Sequence, residues 1–241
     1  MFTLLIALTA NVFAGNVEIH NAMKTGDISL LKKHLNTKLD ANIKDSDGNP
    51  ILFNALANNF IDIAELLIEK GADANSINRF GASVLITAAA NGFDSVVTSL
   101  LKKGAKINEK FNRYDNVTAL MFAAQEGHET TVKILIKNGA DLHAKTSNGD
   151  TAIIAAAAKG HLSIIKQLLK NGADINVRSQ SGYSALFVAI SENNASLVEY
   201  LLSKGANPNV TDDNGDTALA LAIRIKNSAV IDMIKKADGH K

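Results

Sequence analysis

The 241-residue chain has no cysteine and no tryptophan, and only two prolines, Pro50 and Pro208. Without cysteine there can be no disulfide, no thiolate nucleophile and no cysteine-based zinc site. The compartment stays open on that count. A chain without thiols has nothing to mispair in an oxidising space and is equally at home in a reducing one. Net charge is also nearly absent, 25 basic residues standing against 24 acidic ones for +1 at neutral pH. So even a balance gives no reason to expect nucleic acid or an anionic membrane as partner. Local signatures of catalysis are missing as well: there is no Gly-x-Ser-x-Gly, no phosphate-cradling glycine loop and no His-Glu-x-x-His. What is present is in the globular range, 46% apolar and 20% charged, and long enough for one or two domains.

Residues 2–14 read FTLLIALTANVFA, uncharged, and the first acidic side chain is Glu18. The run is too short for a membrane-spanning helix, which needs roughly 20 residues. It suits the apolar region of a secretory signal, with Val12 and Ala14 small enough to sit three and one residues before a cut. The expectation is cleavage between Ala14 and Gly15, leaving a mature protein that is periplasmic or secreted. No Lys or Arg precedes the run, so only the chain amine supplies positive charge there, unless the true start lies upstream of Met1.

The rest of the chain repeats. Gly-Ala recurs at Gly71, Gly104, Gly139, Gly172 and Gly205, at spacings of 33, 35, 33 and 33. A second series runs Gly48, Gly81, Gly149, Gly182 and Gly215, with Asn116 filling the missing step. Asn is the best substitute for Gly where the backbone needs positive φ. The register extends backward: Gly26 aligns with Gly127 and Gly160, and residues 38–42 align with Gly71-Ala72-Asp73-Ala74-Asn75.

A 33-residue period with this pattern resembles the ankyrin repeat. The clearest copies run from Asn148-Gly-Asp-Thr-Ala-Ile-Ile through Gly160-His161 to Gly172-Ala-Asp-Ile-Asn176, and from Asn116-Val-Thr-Ala-Leu-Met through Gly127-His128 to Gly139-Ala-Asp141. Seven units can be drawn: 15–44, 45–77, 78–112, 113–145, 146–178, 179–211 and 212–241. The resemblance implies an all-α solenoid of helix-turn-helix units joined by β-hairpin loops. The residues agree. Each unit has a short Ala-rich segment, such as Ala88-Ala89-Ala90, whose small side chains permit close stacking. A longer segment follows with apolar residues at helical spacing, as in Ile164, Ile165, Leu168 and Leu169. Gly supplies a left-handed cap after it. The family's Thr-Pro-Leu-His signature is altered, to Thr118-Ala-Leu-Met121, Thr151-Ala-Ile-Ile154, Ser184-Ala-Leu-Phe187 and Thr217-Ala-Leu-Ala220. The Thr is mostly kept, so a helix-starting side-chain oxygen remains. The hydrogen bonds that the family His makes to the turn must be met otherwise. No unit can bury its apolar face alone, so the units stack, and the outer ones act as caps. The last carries Lys226, Asp232, Lys235 and Lys236 for its solvated face.

Neither histidines nor carboxylates suggest chemistry. His20, His34, His128, His143, His161 and His240 include no pair three or four residues apart, so no helix face offers a metal site. His128 and His161 share one repeat position, and Asp73, Asp141 and Asp174 share another, as structural residues do. His34 sits where later units have Leu67 or Leu168, as a substitution in the N-terminal cap. No cofactor or metal is expected, and no enzyme activity.

Two features point to binding. Charge alternates between units: the second has Lys70 against Asp45, Asp47, Asp62, Glu65, Glu69 and Asp73, while the third has Arg79, Lys102, Lys103, Lys106 and Lys110 against Asp94 and Glu109. The alternation reads either as a solvated surface or as a footprint for a partner of mixed charge. In addition, the interval from Gly81 to Asn116 is two residues longer than the others, and the excess falls in Glu109–Asp115, a hairpin tip holding Phe111, Arg113 and Tyr114. Aromatic residues and Arg are the usual anchors of interfaces. Resemblance implies that tips and the short-helix face bind protein. By register these positions are Arg79, Phe80, Ala82, Asn91, Tyr114, Asp115, Val117, Gln125, Glu126, Ser147, Asn148, Asp150, Lys159, Gln180, Tyr183 and Glu192. The strongest candidates are Arg79, Phe80, Phe111, Arg113, Tyr114, Gln125, Glu126, Lys159 and Tyr183, with the expanded tip set beside Arg79 and Phe80 as a plug for a partner's cleft. For Phe80 and Phe111, packing against the next hairpin is an equal alternative. An exported single-domain ankyrin chain is similar to bacterial periplasmic ankyrin proteins that act as partners or inhibitors of envelope enzymes. Some protect the producing cell by covering the active site of a peptidoglycan hydrolase. Support of peroxide defence or of a haem enzyme, and a secreted effector that meets a host protein, are the rival functions. The protein is expected to be monomeric when free.

Overall fold

The computed structural model describes residues 18–239 except 20, 24 and 36–39, and leaves out the side chains of residues 34 and 35. The export segment 1–14 with its cut after Ala14, His20, the His34 side chain, Lys38-Leu39 and His240 lie outside the described residues. The chain divides into two compact units, one of residues 1–88 with 93–106 and one of 89–92 with 107–241.

In the first unit, helical backbone at residues 18, 19, 21–23 and 25 precedes helix α1 (Ile28–Leu35), which is followed by α2 (Ile51–Ala57) and α3 (Ile61–Glu69). Then come α4 (Val84–Ala90), whose end belongs to the second unit, and α5 (Asp94–Lys102). The long helices form a row, α1 against α3 and α3 against α5. The second unit continues with α6 (Ala119–Glu126), α7 (Glu129–Lys137), α8 (Ala152–Ala158), α9 (Leu162–Lys170), α10 (Ala185–Ser191), α11 (Ala195–Ser203), α12 (Ala218–Ile225) and α13 (Ser228–Asp238). There the short helices α6, α8, α10 and α12 pack in sequence, and the long ones back them. Among the described residues, hairpin pairing is limited to single bridges, such as Ile77 with Ser83 and Phe111 with Val117. The architecture is an all-α solenoid of ankyrin type.

Two packing patterns build it. The short helices bury alanine, with Ala123, Ala124, Ala156, Ala157 and Ala189 fully enclosed, so successive backbones approach closely. The long helices bury a narrow stripe at i, i+1 and i+4: Val96, Val97 and Leu100, then Ile164, Ile165 and Leu168, then Leu197, Val198 and Leu201. Each such side chain contributes about 1.5–3 kcal/mol by burial. In the last repeat the outer residues Lys226, Asp232, Lys235 and Lys236 are exposed, as a cap requires.

The turns repeat with the helices. After α7 the chain reverses at Gly139 (φ +89°), with the Gly139 and Ala140 N–H groups bonded to Ile136 O and Leu135 O. Asp73, Asp141 and Asp174 are structural: each carboxylate accepts the N–H two residues on, at 2.9, 2.9 and 2.8 Å. The following Asn extends the chain of bonds to the next repeat. Asn75 Oδ1 accepts the Lys106 N–H, and Asn176 Oδ1 accepts the Asn207 N–H. Asn116 adopts φ +59°, standing for the glycine of the second series.

His128 and His161 are structural too. Their Nε2 atoms lie 3.0 Å from Ala90 O and from Gln125 O, tying each long helix to the end of the preceding short one. The hydroxyl caps hold at Ser83, Thr118, Ser184 and Thr217, each accepting the N–H three residues on. Thr151 departs from the expectation: its hydroxyl makes no cap bond and is buried without a partner.

Candidate binding groove

The hairpin tips solve the problem left by the missing histidine through their first residue. Asn78 Oδ1 accepts the N–H groups of Phe80 and Ala82, Thr146 Oγ1 that of Asp150, Ser179 Oγ that of Tyr183, and Asp212 Oδ1 those of Asn214 and Asp216. Burial works against the charge on Asp212, but these donors, the Asn214 amide and the Arg224 charge outweigh it and hold its carboxyl below the usual carboxylate range. The expanded tip closes through its backbone instead, Phe111 N–H on Val117 O and Asn116 N–H on Phe111 O. Asp115 (φ +57°) and Asn116 (φ +59°) are both left-handed, a conformation these two residue types tolerate best after glycine.

This closure orients Tyr114. Its ring stacks on Phe111 at 5.8 Å and on Phe122 of α6 at 5.7 Å. Although 57% exposed, it is therefore held in place against the short-helix face. The tip is tied onward as well: Ser147 N–H donates to Asp115 O, Asn116 Nδ2 to Ser147 Oγ, and Asn148 Nδ2 to Asp115 Oδ2. Two repeats on from that tip, Tyr183 is 40% exposed and stacks on Phe187 at 5.6 Å.

Between these two tyrosines lies an open groove of about 750 Å³, in the size range of ligand sites. Tyr114, Gln125, Lys159 and Tyr183 line it, together with Asp115, Val117, Asn148 and Asp150. Four of the nine strongest sequence candidates thus converge here. Phe111 supports the wall behind Tyr114. Arg113 is exposed on the same tip, and Glu126 accepts a bond from Gln125 Nε2 at 3.3 Å. Arg79 and Phe80 belong to the first unit, where the Arg79 guanidinium covers the Phe80 ring at 4.8 Å and pairs with Asp47 at 3.2 Å. Part of the charge alternation is therefore neutralised within the chain, although an exposed pair contributes little.

Sequence reasoning missed the floor, which includes Met121, Ile154, Ala155, Ala158 and Val188. A signal for it existed. Met121 and Ile154 stand where the signature has His, so losing that histidine makes the floor apolar. Asp150 is half-buried in the groove wall. Burial, and after it the nearby Asp115 charge, push its carboxyl above the usual range. Among the described residues, no group of three or more His, Cys, Asp or Glu is placed to hold a metal ion, and no helix is long and apolar enough to cross a membrane.

An apolar floor, aromatic walls and a few polar groups, set on stacked repeats, are the make-up of a binding site. The profile described as Ankyrin repeats matches the chain in three copies, over residues 19–111, 109–179 and 155–240. The chain belongs to the ankyrin-repeat family, whose repeats form protein–protein interaction modules. Among curated proteins, none matches it.

Proposed function

We propose that the protein is a non-catalytic binding module of the cell envelope whose groove between Tyr114 and Tyr183 receives a segment of a periplasmic enzyme, such as a peptidoglycan hydrolase, and inhibits it by occupancy. The observation that carries the binding site is the convergence of Tyr114, Gln125, Lys159 and Tyr183 on one groove of about 750 Å³. The two tyrosines are exposed yet held by stacking, so little side-chain freedom is lost on association. The apolar run before Gly15 supports export. A segment seated here has its own surroundings covered, which supports inhibition as the outcome.

The test is capture from a periplasmic extract by immobilised protein, with a Tyr114→Ala/Tyr183→Ala variant as control, followed by assay of cell-wall hydrolysis with and without the protein. A protein held by the native chain and lost by the variant, and whose hydrolysis falls on binding, is the expected result. Equal capture by both forms removes the groove as the site, and undiminished hydrolysis removes inhibition. Intact-mass measurement addresses export. A native chain starting at Gly15 is expected, and a soluble cytoplasmic protein retaining residues 1–14 contradicts it.

A further inference from the structure

Val117, Asp150 and Tyr183 occupy the same position in three successive repeats, 33 residues apart, and all three line the groove. Two of them are what an apolar binding surface calls for, and the middle one is a carboxylate. Burial and the Asp115 charge both act against that carboxylate, and among the described residues no ion pair reaches it. A half-buried carboxylate beside a second one is an unfavourable arrangement for folding alone. Next to it, Thr151 is among the residues lining the groove; it is 2% exposed, and its hydroxyl is buried without a hydrogen-bond partner. The walls are tyrosine rings, whose faces attract cations. Lys159 lies at the other end of α8, roughly 12 Å away at 1.5 Å per residue. The groove is thus acidic at its tip end and basic at its far end.

We infer that the groove selects a partner segment bearing an arginine or lysine, seated at the acidic end against Asp150 and Asp115 between the Tyr114 and Tyr183 rings. The inference rests on the reading of this groove as the protein-binding site. The cation supplies the counter-charge that the chain does not, in a setting where desolvation strengthens the pairing. The aliphatic stem of the same side chain covers the apolar floor. Lys159 sets the direction, because a basic group at the wrong end would meet a like charge.

The test is selection of a displayed library of random heptapeptides on the full chain, followed by titration of the selected peptides as synthetic compounds. Arg or Lys is expected at one recurring place in the selected sequences. Affinity should fall about tenfold or more with Asp150→Asn, and by a similar factor when the peptide arginine is replaced by neutral citrulline. The two changes together should cost little more than either alone, because both remove one interaction. The folding control is circular dichroism of Asp150→Asn. Selected peptides with no basic residue, or binding Asp150→Asn as tightly as the native chain, overturn the inference. If such peptides still weaken with Tyr183→Ala, the groove remains the binding site and only the cation is removed. Failure to select any binding peptide removes both.

Discussion

His161 reaches back one repeat and bonds through Nε2 to the carbonyl oxygen of Gln125, at 3.0 Å. A carbonyl only accepts, so Nε2 carries the proton. The bond fixes the end of α6 where Gln125 enters the groove. His161→Ala should destabilise the protein by about 1 kcal/mol, the usual net value of one such bond. His128→Ala should do the same through Ala90. Urea unfolding measures both, and unchanged midpoints would show that the bonds contribute nothing.

Two kinds of glycine carry positive φ, and they should respond differently. Around Gly172 (φ +95°) a Cβ would meet nothing within 4 Å, whereas a Cβ on Gly127 (φ +84°) would lie 2.7 Å from His161 Cε1. Gly172→Val carries the conformational penalty of roughly 1–2 kcal/mol or more. Gly127→Ala adds a steric clash that must displace the His161 ring. Thermal unfolding should therefore rank Gly127→Ala below Gly172→Ala. The opposite order would mean that the ring moves aside without loss.

Thr151 and Thr217 share one repeat position with opposite prospects. Thr217 Oγ1 accepts the Ala220 N–H at 3.1 Å, so Thr217→Val should cost about 1 kcal/mol as a lost cap. The Thr151 hydroxyl is buried without a partner. Thr151→Val keeps the shape and removes that burden, so stability should stay level or rise. Denaturant titration of the two variants decides, and equal losses would refute the distinction.

Asp150 predicts a pH-dependent gain. Its carboxyl is raised in the folded protein by burial and by Asp115, so the native state holds its proton more tightly than the unfolded chain. The stability from that proton is fully present below the unfolded pKa and is lost as pH rises through the folded value. Asp150→Asn should accordingly raise the melting temperature at neutral pH, and the gain should shrink as pH falls through the carboxylate range. A variant less stable at neutral pH would contradict this.

Tyr114 and Arg113 test the tip itself. The double change to Ala should weaken partner binding by about 2 kcal/mol or more if they are central anchors. Because Tyr114 stacks on Phe111 and Phe122, its loss also removes ring contacts of about 0.5–1.5 kcal/mol each. Tyr114→Phe keeps the stack, and with circular dichroism it serves as the folding control. Native affinity in a folded double variant would place the anchor elsewhere on the groove.

The kind of repeat was legible in the sequence. Gly139, Gly172 and their counterparts mark helix ends because only glycine enters that backbone region without strain, and Asn116 could be recognised as the substitute for the same reason. Asp141, Asp174, His128 and His161 could be read as structural because each recurs in register, and local hydrogen bonding demands the same residue each time. The groove was legible only in part. Tyr114, Gln125, Lys159 and Tyr183 are far apart in sequence, and the stacking of α6, α8 and α10 brings them to one surface. Nothing local announces that Tyr114 turns onto Phe122, that Thr151 loses its cap bond, or that Asp150 sits half-buried near Asp115. The first two depend on packing within one repeat, and the approach of Asp150 to Asp115 on the distance between repeats. Periodicity dictates which residues occupy equivalent places, whereas packing between neighbours decides which of those places face one another and what charge they hold.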